Sequence, residues 1–534
     1  MTQAGFGTAG PHTLTIPGAL DQAVRTRGDQ VAVVVPSGTE LTYETLANRS
    51  SIFGAALVAA GIEQGDRVAI WAANCVEWII AYFGLQLAGA ALVPVNTRFR
   101  GIEAADILGR SRARALITAT DFLGTDYIEL LSRSGVDLPD LRSVIVASGD
   151  APPGTEPWTV FLDRVDRRSD AELRRRRASV GPSDPADILF TSGTTGSPKG
   201  VRMSQTQTLA VASDWVEMTG LAAGDRYLMI NPFFHMFGLK SGILASVLAG
   251  ATMMPEPTLD VPRLLERVER EKVTVLPGPP TLYQSILDHP DRAGRNLSSL
   301  RLAVTGASDI PVELIRRITE ELPFSTIISG YGLTEGGTLT GTKRSDSFET
   351  VAKTVGSPRP GFAIRIVTTA GGDAVPGEAG EIWAQGPSIT SGYLDDPIAT
   401  QAALTDDGWL RTGDLGVLGD DGNLRIVGRL KDMFIVGGFN AYPAEIENLL
   451  LRHAEVRQAA VVGVPDVRLG EVGAAYVVRA SGSSLTPEEL ISWSRQEMAN
   501  YKVPRTVVFV EELPLNATGK VQKDALRARA AQAD

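Results

Sequence analysis

The chain has 534 residues, 43% of them hydrophobic, and a mean hydropathy close to zero, which predicts a soluble globular protein of about three to four folding units. Its formal net charge of -11 and pI near 5.1 argue against nucleic acid as the main partner, because such binding depends on Lys and Arg neutralising phosphates. The single cysteine, Cys75, excludes an intramolecular disulfide and favours a reducing cytoplasm.

The first hundred or so residues show no pattern typical of a secretory signal or of a membrane-spanning segment. Residues 1–10 contain no basic stretch leading into an apolar run, so they do not resemble a secretory signal. Residues 78–95 are about long enough to cross a bilayer, but two glycines, a glutamine and a proline interrupt them. We therefore predict a buried helix through Leu87, a turn at Gly89 and a buried strand over 91–95.

Between about residues 40 and 430, helical patterns alternate with short apolar runs. One biased stretch, the arginine run within 171–177, is typical of a solvated helix face. Residues 261–272 predict a helix with Leu264, Leu265 and Val268 inward, and 273–277 predict a strand. This alternation predicts a parallel sheet flanked by helices. Further predicted elements are strands over 300–305 and 325–328 and a helix over 311–322.

Two loops are expected to follow the strands of this sheet, at 306–308 and 330–335. In open α/β sheets, ligands bind outside the carboxyl ends of the strands. Both loops should therefore face one crevice.

The last third of the chain changes pattern. Residues 356–428 contain short strands and Gly/Asp turns, which predict a β-rich subdomain. A compact α+β pattern follows Lys431, and about a hundred residues suffice for a separate domain. Its predicted elements are helices over 443–452 and 487–500 and strands over 458–464, 474–478 and 507–510.

The sharpest chemical signal is Thr-Ser-Gly-Thr-Thr-Gly-Ser-Pro-Lys-Gly at 191–200, which follows a predicted strand over 186–190. Its hydroxyls, glycine amides and lysine suit a polyphosphate, which needs close backbone approach, several donors and a cation. A Walker loop fits poorly, because Pro198 precedes Lys199 and Gly200 follows it. A Gly/Ser-rich linker would seldom follow a buried strand directly, so we favour phosphate binding.

This segment resembles the phosphate-binding signature of the adenylate-forming superfamily, which includes acyl-CoA synthetases, adenylation domains and luciferases. The resemblance extends over nearly the whole chain and implies ATP, Mg²⁺ and coenzyme A as cofactors. It implies a large N-terminal α/β domain over 1–430, with parallel flanked sheets and the β-rich subdomain, and a small mobile α+β domain over 431–534. Within the signature, it implies nucleotide binding by Thr191, Ser192, Gly193 and Thr194, and catalytic roles for Thr195 and Lys199.

Three more segments resemble the nucleotide site of that superfamily, and one of them, Gly306-Ala307-Ser308, is similar to the loop that lines its adenine and acyl pocket. In Gly-Tyr-Gly-Leu-Thr-Glu at 330–335, the Tyr331 ring would stack on adenine, Thr334 would meet the α-phosphate, and Glu335 would hold Mg²⁺. Asp414 would bind the ribose, since a carboxylate can accept from both hydroxyls. Taken alone, each is also an ordinary turn. The cofactor-binding set implied here is Gly306, Ala307, Ser308, Gly330, Tyr331, Gly332, Thr334 and Asp414.

The C-terminal segments resemble a hinge and a mobile lysine. In Gly-Arg-Leu-Lys-Asp at 428–432, Arg429 would reach the nucleotide and the backbone of Lys431 would rotate. The small residues Gly437 and Gly438 would let a pantetheine chain pass close to the backbone. Lys520, at the end of Pro-Leu-Asn-Ala-Thr-Gly-Lys, would bridge the substrate carboxylate and the α-phosphate. By itself, such a terminal lysine is nearly always a solvated charge.

These parts match the needs of the reaction. A carboxylate and ATP repel each other, so Lys199, Lys520 and Mg²⁺ on Glu335 would neutralise charge where the carboxylate attacks. Adenylation needs Lys520 in the site and thiol attack needs it gone, and a hinge at Lys431 would satisfy both demands in sequence.

The aromatic-rich segment 231–238 resembles the acyl-pocket gate of the superfamily. We assign His235 to pocket lining near the carboxylate, because a histidine among aromatics is more often packing than catalysis. The expected pocket holds a bulky apolar acid, with walls from Phe234, Phe237, Gly306 and Leu333.

Segments 231–240 and 274–290 resemble those of actinobacterial synthetases for the ring-containing propanoate left by steroid degradation. Medium-chain fatty acids and aromatic acids stay open as substrates, because pocket residues transfer poorly within a family.

Two other functional classes and several properties stay open. Adenylation feeding a carrier protein is disfavoured, because the chain ends shortly after Lys520 with no appended carrier domain, although a separate carrier could act in trans. A non-catalytic nucleotide sensor would be expected to lack one of Lys199, Glu335, Asp414 or Lys520. The four histidines are widely separated in sequence, which favours an oxygen-bound metal such as Mg²⁺. The sequence leaves open a monomer or a homodimer.

Overall fold

The computed structural model describes residues 15–191, 198–306, 312–436, 439–515 and 521–531. Its largest sheet has nine strands. The pairs from Val31–Val34 across to Thr326–Leu333 are parallel, and the strands at both ends are antiparallel. In spatial order the strands are Ser357–Pro358, Gly337–Gly341, Thr326–Leu333, Leu302–Gly306, Val275–Gly278, Arg226–Met229, Thr252–Pro255, Val31–Val34 and Glu40–Thr42.

A second sheet has seven strands, and all its neighbours are parallel except the last pair. That pair is an antiparallel hairpin at the edge of the sheet, and residues 192–197 connect its strands. In spatial order the strands are Glu156–Pro157, Ser143–Ser148, Ala115–Ala119, Arg67–Trp71, Ala91–Pro94, Pro185–Thr191 and Lys199–Ser204. The predicted parallel sheets flanked by helices are confirmed.

Two smaller sheets follow in the sequence. A four-stranded antiparallel sheet confirms the predicted β-rich region and consists of Ala363–Val367, Ala379–Gln385, Leu410–Leu418 and Leu424–Arg429. The last sheet consists of Phe439–Ala441, Phe434–Val436, Gly470–Arg479 and Val456–Asp466, with Thr506–Phe509 added in parallel to Gly470–Arg479.

Helices cover the sheets, and none of the described helices is both long enough and apolar enough to cross a bilayer. The π-helix Leu239–Leu244 and the 3₁₀-helix Pro290–Gly294 add to the α-helices. The α-helices are Ile16–Arg27, Tyr43–Ala59, Val76–Leu87, Gly101–Ser111, Tyr127–Arg133, Trp158–Leu162, Arg167–Ser179, Gln205–Thr219, Met236–Gly238, Ala245–Ala249, Val261–Glu271, Pro280–Leu287, Val312–Glu321, Phe348–Lys353, Pro397–Ala403, Pro443–Leu450, Pro487–Glu497 and Lys523–Ala531.

The helix Val261–Glu271 illustrates how local sequence sets an element. The Asp260 side chain accepts from the backbone N–H of Arg263 and caps the first turn. Leu264, Leu265 and Val268 are buried as predicted, each contributing about 1.5 to 3 kcal/mol by leaving water.

The largest apolar core contains residues of both large sheets and of the helices between them. The helices Tyr43–Ala59 and Val76–Leu87 approach closely, since a Cβ on Gly54 would lie 2.7 Å from the carbonyl oxygen of Gly84. The predicted helix and strand within 78–95 are confirmed as Val76–Leu87 and Ala91–Pro94.

The arginine run lies in the helix Arg167–Ser179 and only partly faces solvent. Arg174 and Arg175 are exposed as predicted. The prediction is wrong for Arg176, whose side chain is 13% exposed. Its guanidinium donates to the carbonyl of Ile62 at 2.6 Å, because the helix packs on the domain core through that side.

Candidate active site

The hairpin at the edge of the seven-stranded sheet carries the predicted phosphate-binding segment. Thr191 lies opposite Lys199 in the antiparallel pair, and its hydroxyl lies 3.5 Å from the Lys199 carbonyl. The predicted residues Ser192, Gly193, Thr194 and Thr195 come between them in the sequence and lie outside the described residues. Thr191 and Lys199 therefore mark the two ends of the candidate phosphate loop.

Lys199 and Glu335 lie on two sides of a tyrosine that the sequence analysis missed. The Lys199 ammonium is 5.1 Å from the centre of the Tyr393 ring, within range of a cation–π interaction. The Tyr393 hydroxyl donates to Glu335 Oε1 at 3.0 Å. Tyr393 and Glu335 are 58 residues apart in sequence, and no local pattern marks Tyr393 as a site residue.

Backbone hydrogen bonds hold this tyrosine in place. Tyr393 forms a bridge with Val201, and the N–H of Leu394 donates to the Gly200 carbonyl at 2.7 Å. The N–H of Thr390 donates to the Glu335 carbonyl, also at 2.7 Å. The segment 390–394 is thus hydrogen-bonded both to the Lys199–Ser204 strand and to the turn that carries Glu335.

The environment of Glu335 suits a bound cation. Burial raises the pKa of its carboxyl above the ordinary value, and the nearby Asp414 raises it further, whereas the Tyr393 hydroxyl and Lys199 lower it. A divalent cation would offset that burial cost, and carboxylate oxygen is a ligand that Mg²⁺ prefers. No cluster of three or more His, Cys, Asp or Glu side chains among the described residues could hold a metal.

Tyr331, Asp414 and Arg429 form a second polar cluster. The Tyr331 hydroxyl donates to Asp414 Oδ2 at 2.7 Å, and Arg429 Nε lies 3.1 Å from Asp414 Oδ1. Asp414 and Arg429 face each other across neighbouring strands. Burial and the Asp414 carboxylate raise the pKa of Tyr331 well above its ordinary value. Each Asp414 oxygen retains acceptor capacity, which a ribose hydroxyl could use.

The residues just before Asp414 fix the direction of its backbone. The N–H of Asp414 donates to the Thr412 hydroxyl at 3.1 Å, and that of Gly413 donates to Glu381 at 3.0 Å. Gly413 has a φ of 70°, a conformation that favours glycine. Gly413 lies within the strand Leu410–Leu418, whose pairing with Ala379–Gln385 is irregular just before the carboxylate.

The predicted loop over 330–335 is partly wrong. Residues up to Leu333 continue the strand Thr326–Leu333 and pair antiparallel with Gly337–Gly341, so only Thr334 and Glu335 lie in the turn. The backbones approach so closely that a Cβ on Gly332 would lie 2.2 Å from the Gly337 carbonyl oxygen. The prediction failed because the glycines of this segment allow close pairing with the later strand Gly337–Gly341. The local sequence does not reveal that pairing.

Gly306 and Gly330 lie side by side in neighbouring strands, and the shared crevice expected for the loops stays a prediction. They are partners in the parallel pair of strands Leu302–Gly306 and Thr326–Leu333. Ala307 and Ser308 lie outside the described residues.

The aromatic segment near His235 is held by hydrogen bonds and ring packing. His235 Nδ1 accepts from the Phe237 N–H at 3.2 Å and so caps the short helix Met236–Gly238. The Phe237 ring packs edge-on against Trp215 with centroids 5.2 Å apart. Phe234 and Leu333 are half-buried. The acyl-pocket walls formed by these side chains stay a prediction.

The buried Asn74 orients this aromatic segment from another element. Its amide donates to the carbonyls of Met229 and Asn231 at 3.0 Å each. Its side-chain oxygen accepts from the N–H of Phe233 at 2.8 Å. The sequence analysis did not identify this residue, because nothing near position 74 marks it.

The predicted hinge lies in a turn. Lys431 is exposed, and the N–H groups of Asp432 and Met433 donate to the Arg429 carbonyl at 3.0 and 3.1 Å. The Asp432 carboxylate contacts Arg527 at 2.7 Å. Gly437, Gly438 and Lys520 lie outside the described residues.

Comparison with known proteins gives the family. The sequence model described as AMP-binding enzyme matches residues 20–394, and the one described as AMP-binding enzyme C-terminal domain matches 445–520. The chain belongs to the family of AMP-binding enzymes. The first match contains Lys199, Glu335 and Tyr393, and the second ends at Lys520.

Several proteins that resemble this AMP-binding enzyme are named as CoA ligases. A Rhodococcus jostii protein named 3-[(3aS,4S,7aS)-7a-methyl-1,5-dioxo-octahydro-1H-inden-4-yl]propanoyl:CoA ligase is 46% identical over 96% of this chain and 98% of its own length. A Mycobacterium tuberculosis protein of the same name has the same identity and coverage. The anthranilate CoA ligase AuaEII in complex with anthranoyl-AMP is 27% identical, with a TM-score of 0.86 over 97% of this chain and 98% of that one. The predicted assignment to the adenylate-forming acyl-CoA synthetases is confirmed.

Proposed function

We propose that this AMP-binding enzyme joins a bulky apolar carboxylic acid to coenzyme A in two steps. The observation that carries the proposal is the arrangement around Tyr393, which has the Lys199 ammonium over its ring and the Glu335 carboxylate at its hydroxyl. A cation and a cation-binding carboxylate beside a glycine- and hydroxyl-rich hairpin suit a polyphosphate.

In the first step, a carboxylate oxygen of the acid attacks the α-phosphorus of ATP, and pyrophosphate leaves. Lys199 would neutralise phosphate charge, and Asp414 would hold the ribose. Mg²⁺, bound by Glu335, would supply further charge neutralisation. In the second step, the thiolate of coenzyme A attacks the acyl carbon, and AMP leaves.

The two steps need different groups in the site. We propose that residues 431–534 rotate about Lys431, bringing Lys520 to the reacting carboxylate for adenylation and removing it for thiol attack. Lys431 is exposed and lies in a turn, which supports a hinge there, since hinges are often loop residues that absorb large φ/ψ changes. Gly437 and Gly438 would then border the path of the pantetheine chain. A cytoplasmic location stays a prediction.

We propose a steroid-derived propanoate with fused rings as the acid. The support is the 46% identity to two ligases named for such an acid, over nearly the whole of each chain. The half-buried Phe237, packed on Trp215, offers an apolar surface near the predicted gate. Medium-chain and aromatic acids are the alternatives, and relatives at 32% and 35% identity are named for these classes.

Pyrophosphate release tests this proposal directly. Purified enzyme is given ATP, Mg²⁺ and each acid in turn: the bicyclic propanoate, octanoate and ferulate. We expect the highest kcat/KM with the bicyclic acid, and AMP release that depends on coenzyme A. Octanoate or ferulate as the best substrate would overturn the acid assignment. AMP release that needs an acyl carrier protein instead would overturn the choice of thiol.

A matched pair of lysine variants tests the site itself. Lys199→Ala should lose about 10²- to 10³-fold in pyrophosphate release, by analogy with the loss of an oxyanion-hole donor. Lys353→Ala removes an exposed lysine that pairs with Glu349 on its own helix and should leave the rate unchanged. Equal rates for both variants would contradict the assignment of Lys199.

A further inference from the structure

A fully buried ion pair joins the strand Pro185–Thr191 to the π-helix Leu239–Leu244. Lys240 Nζ is 3.0 Å from Asp187 Oδ1, and both side chains are completely shielded from solvent. The Thr208 hydroxyl donates to Asp187 Oδ2 at 2.5 Å. Burying two charges costs several kcal/mol per ion before their attraction offsets it. Two apolar side chains would fill the same space without that cost, so stability alone does not account for the pair.

The pair joins two segments that the proposed function needs. Asp187 lies in the strand Pro185–Thr191, which leads directly into the candidate phosphate loop. Lys240 lies in the π-helix Leu239–Leu244, which follows the aromatic segment containing Phe237. π-Helices are rare and frequently mark functional sites. The ion pair therefore connects the nucleotide side of the site to the acid side.

Thr208 adds a third element to this connection. It lies in the helix Gln205–Thr219, which also carries Trp215, the ring that packs on Phe237. The same helix therefore contacts the Asp187 carboxylate at one point and the aromatic gate at another.

A fourth element faces the same carboxylate. The Tyr82 hydroxyl is buried and makes no hydrogen bond within the described part of the chain. Burial raises the pKa of Tyr82 well above its ordinary value, and the charge of Asp187 raises it further. Burial lowers the pKa of Lys240, while Asp187 opposes that change. The hydrogen bond to Asp187 therefore comes from Thr208, and Lys240 adds the opposite charge at 3.0 Å without a hydrogen bond.

We propose that Lys240 and Asp187 are positioning residues for adenylation. The pair fixes the strand Pro185–Thr191, which leads into the phosphate loop, against the π-helix Leu239–Leu244, which follows the aromatic gate. It thereby sets the distance between the acid carboxylate and the α-phosphorus. This inference rests on the proposed function. A misplacement of about 1 Å can cost about 100-fold in rate, so the pair acts on the alignment of two substrates rather than on their separate binding.

The test uses the double variant Lys240→Met/Asp187→Asn, which removes both charges together and leaves neither unpaired. The control is Arg267→Met/Glu256→Gln, which removes another buried ion pair, with side chains 1% and 4% exposed and a 2.6 Å contact. Arg267 otherwise contacts Glu271 and the carbonyls of Pro255 and Val34, none of them a candidate site residue. Both variants are measured for thermal unfolding, pyrophosphate release, and thioester formation from supplied acyl-AMP.

We expect kcat for pyrophosphate release to fall about 10- to 100-fold in the Lys240/Asp187 variant, with the KM for acid and for ATP nearly unchanged. Thioester formation from supplied acyl-AMP should change far less, because there the acyl group and phosphate are already joined. The control should keep wild-type kcat. Wild-type kcat in the Lys240/Asp187 variant, or equal losses in both half-reactions, would overturn the proposal.

A milder pair of variants covers the case in which the double variant does not fold. Thr208→Val removes only the hydroxyl that donates to Asp187, and Thr208→Ser retains it. We expect Thr208→Val to lower kcat for pyrophosphate release and Thr208→Ser to restore most of it. Equal kcat for the two would also overturn the proposal. Absence of pyrophosphate release by the wild-type enzyme with every acid would instead overturn the proposed function.

Discussion

Tyr393→Phe isolates one hydrogen bond in the candidate site. It removes the hydroxyl that donates to Glu335 Oε1 at 3.0 Å and keeps the aromatic ring beneath the Lys199 ammonium. Since that hydroxyl lowers the pKa of Glu335, its loss should raise the pKa further. A proton would then compete more strongly with Mg²⁺ for the carboxylate, and Mg²⁺ with ATP would bind less tightly.

The magnitude follows from the type of hydrogen bond. A hydrogen bond to a charged group contributes about 1.5 to 3 kcal/mol, and Glu335 is only partly buried, so we take about 1.5 kcal/mol. That free energy corresponds to about a 10-fold loss in kcat/KM for ATP. The assay is the initial rate of pyrophosphate release, measured over a range of ATP and Mg²⁺ concentrations and of pH.

Tyr393→Leu serves as the comparison, because it removes the ring as well as the hydroxyl. We expect a larger loss in Tyr393→Leu than in Tyr393→Phe, and partial recovery of Tyr393→Phe at higher Mg²⁺ or higher pH. An unchanged Mg²⁺ dependence and pH profile in Tyr393→Phe would refute the link between Tyr393 and Glu335.

Three further predictions concern Glu335, Asp414 and Lys431. Burial raises the pKa of Glu335 in the folded state. In the absence of Mg²⁺, the wild-type enzyme should therefore lose stability relative to Glu335→Gln as the pH rises from the unfolded-state pKa of Glu335 through its folded-state pKa. Urea unfolding at several pH values measures this, and parallel stability profiles for the two proteins would contradict it. Asp414→Asn should raise the KM for ATP about 10-fold by weakening a charged hydrogen bond, with the KM for the acid unchanged in initial-rate assays. Lys431→Pro, which fixes φ, should slow thioester formation more than adenylation, and equal slowing in separate half-reaction assays would count against the hinge.

Elements with a local burial pattern could be predicted from the sequence. The helix Val261–Glu271 has an apolar face and an Asp260 cap, and the prediction differs from it by one residue. The region after Lys431 likewise contains the predicted helices and strands, as Pro443–Leu450 and Val456–Asp466 illustrate. Such patterns arise because each element must bury one face.

Contacts between distant segments could not be predicted. Tyr393 acquires its role only because the chain brings segment 390–394 beside the Lys199–Ser204 strand. Lys240 has no neighbour in sequence that marks it as the partner of Asp187. The continuation of the strand to Leu333 depends on pairing with Gly337–Gly341. In each case the deciding interaction is between residues whose proximity is set by the fold.

In the proposed mechanism, a rotating C-terminal region brings Lys520 into a nucleotide cleft for the first step only. Lys520→Ala tests it most directly when both half-reactions are measured on the same preparation. We predict a loss of about 10²- to 10³-fold in acyl-AMP formation, with thioester formation from supplied acyl-AMP retained. Equal loss of both half-reactions, or wild-type adenylation, would contradict the account.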